Sequence, residues 1–177
     1  MVCIWFGLFF TFRFTQLESK LPNREHNIYL TTVLLYPLIE TTVKWMIVRD
    51  VIPCLEKLGG RRGLPASKNP PTFRYSWFLL NRIEHFCWAV AVVIIFLPIL
   101  IDIYNSLNLW QNLLVTLGFI CFLGNLNEFL EYLIRLQLNL TTPKRFAAYY
   151  PDTIYDMMMN MIGGFTGFLI CHNPKQP

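Results

Sequence analysis

Charged side chains are scarce in this sequence. Of its 177 residues only 15% are charged, while 54% are hydrophobic and 16% are aromatic. Soluble domains usually have about 25% charged residues, and several stretches here approach the roughly 20 apolar residues that a helix needs to cross a bilayer. The composition therefore excludes an ordinary soluble domain. It predicts an all-α fold in which residues 1–177 form a single transmembrane domain.

The sequence also lacks the patterns of several common sites. It contains no CxxC pair, and most of its five cysteines lie in apolar stretches, so neither a disulfide framework nor a zinc site is predicted. The net charge of +4 comes without a single basic face or interleaved aromatic residues. Nucleic acid is therefore not an expected partner, and no motif names a cofactor. No Lys or Arg precedes the first apolar run, so we expect that segment to be retained and not cleaved as a signal peptide.

Five apolar segments are present, and they predict a bundle of about five transmembrane helices. The first is short for a span, and Pro37, Glu40 and Lys44 interrupt the second. Glu40 and Lys44 are four residues apart on a helix and could neutralise each other. The segments cover about residues 2–14, 28–48, 76–104, 109–136 and 153–171.

The distribution of Lys and Arg between the loops predicts the orientation. Residues 49–76 contain six basic residues, whereas residues 105–108 contain none. Cytoplasmic loops retain an excess of Lys and Arg. This asymmetry places the N-terminus in the cytoplasm and, with five spans, the C-terminus outside.

Polar residues inside the last three segments form the candidate site. Helical spacing places each of them on a stripe, and burying a charge in lipid costs roughly 2.5 kcal/mol or more, so the stripes should face the bundle interior. On the same stripes, Gly124, Gly163 and Gly167 predict a close approach of the fourth and fifth spans. The candidate site residues, in one layer near the cytoplasmic face, are Glu84, His85, Glu128, Glu131, Asp156 and Asn160.

Part of this pattern resembles the VanZ-like family of bacterial membrane proteins. The last segment reads Asp156-x-x-x-Asn160-x-x-Gly163-x-x-x-Gly167, and it follows Asn127-Glu128-x-x-Glu131 and Glu84-His85 in the order found in that family. The resemblance covers about residues 76–170. The Asn-Glu-x-x-Glu form and the Asp-Thr pair before the last motif are closer to a neighbouring group of uncharacterised bacterial membrane proteins. The resemblance implies a multi-pass protein of the bacterial inner membrane.

Two interpretations of the polar layer remain open, together with a proton or ion path. In the first, the layer handles the head group of a membrane lipid or lipid-linked molecule. Glu128 and Glu131 are then the acid/base or metal-liganding pair, His85 carries protons, and Asp156 and Asn160 position the groups. In the second, the chain is a non-catalytic subunit of a larger membrane complex and the carboxylates form a structural network. Whether the protein is an enzyme is left undecided.

The basic residues near the candidate site have a separate interpretation. Arg82 and Arg135 lie near predicted helix ends, where long side chains extend toward the interface. Because acids alone would repel a phosphate, a phosphate-bearing head group would need Arg82, Arg135 and Arg145, or a bridging divalent cation.

Cysteine labelling tests the predicted orientation. In a cysteine-free background, a membrane-impermeant reagent added from outside should label a cysteine at Ser106 and not one at Ser67, because the loop rich in Lys and Arg stays in the cytoplasm. The opposite labelling pattern would contradict the orientation and place the acidic layer at the outer face.

Overall fold

The computed structural model describes residues 2–49, 75–137 and 143–172 of the chain. Within these ranges it contains six α-helices, a short 3₁₀ helix at Leu17–Lys20, and no strand, so the all-α prediction is confirmed. The region that contains Ser67 lies outside the described residues. The helices are α1 Val2–Phe14, α2 Asn23–Arg49, α3 Tyr75–Ile95, α4 Leu97–Ser106, α5 Leu109–Gln137 and α6 Pro143–Cys171.

Helix α3 is central to the packing. It makes its most extensive contacts with α6 and also packs against α2, while α6 packs against α5. The fully buried side chains of Ala89, Val93 and Ile95 on α3 and Ile120 on α5 belong to this core. The second half of α3, residues 86–95, is apolar all round, and a segment of this kind is expected to have neighbours on most sides.

The third predicted span is bent. The sequence predicts one span over residues 76–104, but α3 and α4 meet at Phe96 with a bend of 69°. Pro98 lies in the first turn of α4. A proline has no N–H to donate, and its ring clashes with the carbonyl four residues earlier, here that of Ile94. The helix therefore breaks just before Pro98 and resumes in a new direction.

Length and apolarity separate the helices into two groups. Among the described residues, α5 (over Leu109–Leu130) and α6 (over Thr153–Cys171) are long and apolar enough to span a membrane, and the bent α3–α4 pair makes a third if it is one span. Helix α1 has 13 residues, which is about 20 Å against a hydrocarbon core of about 30 Å. Helix α2 carries Glu25, Glu40 and Lys44. The two N-terminal helices, α1 and α2, are therefore not among these candidate spans.

Glycines let α6 approach two neighbours at once, but not in the predicted pairing. A Cβ on Gly163 would lie 2.5 Å from the carbonyl oxygen of Phe86, and one on Gly167 would lie 3.0 Å from Cβ of Val93. Both glycines therefore face α3, and the prediction that they join the fourth and fifth spans is wrong. The spacing defines a face of α6, but it does not say which helix meets that face.

The contact between the fourth and fifth spans, α5 and α6, uses other glycines. A Cβ on Gly164 would lie 3.1 Å from the Ile120 side chain, and one on Gly124 would lie 2.7 Å from Nδ2 of Asn160. Of the predicted glycines, Gly124 is thus at the expected contact. We call the α3–α6 and α5–α6 contacts seams. Small residues at both seams allow the backbones to approach closely, and the resulting van der Waals packing helps to hold helices together in a membrane.

The variant Gly163→Ala tests the α3–α6 seam. The added methyl would overlap the Phe86 carbonyl and the Ala89 side chain, so we expect a loss of unfolding free energy of about 1–3 kcal/mol. Gly118→Ala on α5 is the matched control, because a Cβ added at Gly118 would meet nothing within 4 Å and alanine is the better helix former. The measurement is unfolding in mixed micelles; equal stability of the two variants would contradict the seam.

Candidate functional site

Asp156 on α6 is the centre of a buried polar cluster. Its side chain is only 5% exposed. Its Oδ1 atom accepts hydrogen bonds from Nδ2 of Asn81, at 2.8 Å, and from the Arg82 guanidinium. The Arg82 side chain is 6% exposed, and its guanidinium carbon lies 5.4 Å from the centroid of the Tyr155 ring. The carboxylate thus has a charged partner and a neutral donor, both from α3.

The buried position of Arg82 corrects the expectation that this side chain extends to the interface. Arg82 precedes His85 by three residues, so both lie on the side of α3 that meets α6. Gly163 lets the two helices come close enough for this contact, since a Cβ at this position would lie within 3 Å of Phe86 and Ala89. An arginine near a helix end extends outward when nothing within reach compensates its charge. Here Asp156 compensates the charge of Arg82, so the arginine side chain points into the bundle.

His85 and Glu128 join Asp156 to form a three-helix group. Nε2 of His85 lies 3.2 Å from Oδ1 of Asp156, and the Thr153 hydroxyl donates to Oε2 of Glu128 at 3.0 Å. His85, Glu128 and Asp156 each offer a ligand atom, and these atoms all lie within 4.8 Å of one another. Helices α3, α5 and α6 each contribute one of them. We call Arg82, His85, Glu128 and Asp156 the polar cluster.

The structure places Glu84 elsewhere. The Tyr36 hydroxyl hydrogen-bonds to the Glu40 carboxylate, and Glu84 lies close enough to act electrostatically on the same hydroxyl. Consecutive residues on a helix point about 100° apart. Glu84 therefore faces α2 while its neighbour His85 faces α6, although the sequence analysis expects both in one polar layer.

Asn160 lies one helical turn beyond Asp156. Its side chain is 2% exposed, and its amide packs against Gly124 of α5. Within the described ranges its Oδ1 atom has no hydrogen-bond partner. Asn160 thus belongs to the α5–α6 seam beside the cluster.

Several residues named by the sequence lie partly beyond the structural description. Glu131 is on α5, but its side chain is outside the described part of the structure. The same holds for the side chains of Lys44, Arg135, Arg145 and Asp152. The roles expected of these residues stay predictions.

Sequence reasoning missed the part played by Arg82 and Thr153. The signal for Arg82 was its spacing of three from His85, which puts both on one face. The signal for Thr153 was its spacing of three from Asp156 on α6. Neither spacing reveals a partner on another helix.

The polar cluster combines opposite charges with a histidine. The Arg82 guanidinium donates to Asp156, the His85 imidazole lies beside the same carboxylate, and Glu128 belongs to the same group. A histidine is the side chain whose unperturbed pKa lies nearest to neutral pH. The arrangement therefore offers groups that could exchange a proton, and the three ligand atoms of His85, Glu128 and Asp156 could also hold a metal ion.

Comparison with known proteins identifies a family. Residues 70–173 match the model of the family described as "Predicted membrane protein (DUF2238)". The match covers more than half of the chain, so the chain belongs to this family. It supports an uncharacterised membrane family and does not single out the VanZ-like proteins. No curated protein and no solved structure matches the sequence significantly.

The variant Asp156→Asn tests the buried ion pair. Losing the carboxylate charge leaves Arg82 buried without its counter-charge, and breaking such a pair typically costs about 3–5 kcal/mol. Asp102→Asn is the matched control, because Asp102 pairs with Lys20 at the surface, where the side chains are 62% and 45% exposed, and should cost at most about 1 kcal/mol.

A double variant separates charge from packing at the same position. Arg82→Met combined with Asp156→Leu replaces both charges with apolar side chains, so it should recover most of the stability lost in Asp156→Asn. The free energy of unfolding is measured in mixed micelles for the wild type, for the two single variants and for the double variant. Equal losses for Asp156→Asn and Asp102→Asn would contradict a buried pair.

Proposed function

We propose that this member of the DUF2238 family uses its polar cluster for acid–base chemistry on the head group of a membrane lipid or lipid-linked molecule. The observation that carries the proposal is the position of His85, 3.2 Å from Asp156 and in one group with Glu128. A general base must lie within hydrogen-bonding reach of the proton that it takes, directly or through one water. Asp156 is within direct reach of His85, and Glu128, within 4.8 Å, could exchange a proton with it through a water.

The roles of the four residues follow from their contacts. Arg82 and Asn81 hold Asp156, and Asp156 in turn fixes the imidazole of His85. Thr153 holds one oxygen of Glu128. We assign proton transfer to His85 and Glu128 and positioning to Asp156. The resemblance to VanZ-like proteins of the bacterial inner membrane is compatible with this assignment.

The location of the cluster supports a lipid substrate. Glu128 and Asp156 lie in the two helices that are long and apolar enough to span a membrane. Ionisable groups in such segments are costly and usually mark a pathway or a site. Molecules that reach this depth from the side are those already dissolved in the bilayer. The accessory-subunit interpretation, in which the same residues only fix helix register, is the alternative that the experiment must exclude.

Substitutions at Glu128 and His85 separate the two interpretations. Glutamine keeps hydrogen bonding but is a poor proton acceptor. The variants Glu128→Gln and His85→Gln should therefore lower the rate at which lipid head groups are chemically changed, here called turnover, by about 100-fold or more. The assay reconstitutes the purified protein in vesicles of phosphatidylethanolamine and phosphatidylglycerol and follows the lipids by mass spectrometry. Added Mn²⁺ should not change the result.

Two controls make this experiment decisive. Asp102→Asn, at an exposed ion pair, should turn over lipid like the wild type, and thermal unfolding must show that the glutamine variants are folded. Folded Glu128→Gln protein with wild-type turnover would contradict the proposal. So would a folded wild-type protein that leaves every lipid unchanged, which favours the structural network instead.

A further inference from the structure

Helix α4 leaves the direction of α3 at a steep angle. The two helices bend by 69° at Phe96, and α4 has 10 residues, which is about 15 Å. Helix α4 therefore advances by only about 5 Å along the direction of α3. Helix α3 has 21 residues, about 31 Å, and this length already crosses a hydrocarbon core of about 30 Å. The third span does not need α4 to cross the membrane.

The direction of α3 is that of a candidate span. Asp156 of α6 pairs with Arg82 of α3, and Gly167, farther along α6, lies against Val93, farther along α3. The two helices therefore run side by side in one direction, and α6 is long and apolar enough to span a membrane. Spanning helices are tilted by about 20° on average. A bend of 69° thus leaves α4 closer to the membrane plane than to the membrane normal.

The exposed side of α4 has an apolar edge, Ile99 and Ile103, and a polar edge, Asp102 and Asn105. Ile99 and Ile103 are 44% and 38% exposed and lie four residues apart, on one line along the helix. Asp102 and Asn105 are also exposed, about 100° away around the helix. A helix with one apolar and one polar edge fits the boundary between lipid and water. The rest of its surface is buried against the protein, at Leu97, Pro98, Leu100, Ile101 and Tyr104.

The neighbours of α4 also mark a boundary with water. Lys20 pairs with Asp102 at the surface, and Arg24 donates to the carbonyl oxygen of Ile170 near the end of α6. Trp110, at the start of α5, is 71% exposed, and tryptophan is enriched where lipid meets water. Exposed charges, the end of α6 and an exposed indole thus gather at the same end of the bundle as α4.

We propose that α4 lies in the plane of the membrane and binds the bilayer surface along its apolar edge. Ile99 and Ile103 face the outer part of the acyl chains, while Asp102 and Asn105 face the head groups and water. Helix α3 alone forms the third span, and α5 returns from the same face of the membrane. This inference goes beyond the proposed function, because it makes no use of the polar cluster.

The position of α4 also fixes the depth of the polar cluster. His85 lies about 15 Å before Ile95 along α3, and Asp156 lies about 22 Å before Cys171 along α6. In a hydrocarbon core of about 30 Å both are at or beyond the middle, on the side away from α4. The polar cluster is therefore closer to the opposite face of the membrane.

Spin labels test the position of α4. Ile99→Cys, Ile103→Cys, Asp102→Cys and Asn105→Cys are made singly in a cysteine-free background, labelled, and reconstituted in vesicles of phosphatidylethanolamine and phosphatidylglycerol. Power saturation with oxygen and with a water-soluble nickel complex then measures the depth of each label. The two labels on the apolar edge should lie in lipid, at depths that differ by less than about 4 Å. The two labels on the polar edge should be accessible to the nickel complex.

Two exposed positions on α5 are the matched references for depth. Leu114→Cys and Phe122→Cys replace side chains that are 69% and 64% exposed, and their labels should differ in depth by about 12 Å. Both labels on the apolar edge should be shallower than the label at Phe122. Asn105→Cys alone reports the polar edge if Asp102→Cys, which loses the pair with Lys20, does not fold.

Two results would overturn the inference. Polar-edge labels that are shielded from the nickel complex as well as the label at Phe122 would place α4 inside the core, as part of a bent span or a re-entrant segment. Apolar-edge labels that are open to the nickel complex would place α4 in water, away from the bilayer. The labels report position whether or not the protein changes any lipid, so neither result bears on the proposed function.

Discussion

The buried ion pair between Arg82 and Asp156 constrains the rest of the structure. Two charges with almost no exposure are tolerated only when they meet, so α3 and α6 must keep the rotation that brings them together. Gly163 makes this possible by allowing contact with the α3 backbone at Phe86. Once the pair is formed, Asp156 also lies within 3.2 Å of His85. The position of the candidate site is thus a consequence of one helix–helix seam.

Helix α3 has two faces with different chemistry. One row contains Arg82, His85 and Ala89 and meets α6, while the other contains Glu84 and Trp88 and faces α2. The two rows are separated because consecutive residues turn by about 100° on a helix. Two adjacent polar residues, Glu84 and His85, therefore face different neighbouring helices. Only His85 belongs to the polar cluster, although the sequence lists both as candidate site residues.

Composition and long apolar segments made the fold class predictable from the sequence, and helix periodicity predicted that the polar stripes point inward. Periodicity could not predict which neighbouring helix each stripe contacts. Gly163 was expected to meet α5 and meets α3, because spacing defines a face and tertiary packing chooses its neighbour. Arg82 was expected to reach the interface for a similar reason, since its partner Asp156 is 74 residues away. Pro98 marks a helix break in the sequence, but the sequence does not give the size of the bend, which is 69°.

The proposed acid–base role uses contacts that already hold the polar cluster together. Oδ1 of Asp156 accepts from Asn81 and Arg82 and lies 3.2 Å from Nε2 of His85, so a proton on His85 needs none of these contacts to break. A divalent cation on the same oxygen would compete with Asn81 and Arg82. Two unit charges 4 Å apart repel by about 4 kcal/mol at an effective dielectric constant of 20. The arginine beside Asp156 therefore opposes a cation at that carboxylate, and the acid–base proposal does not require one.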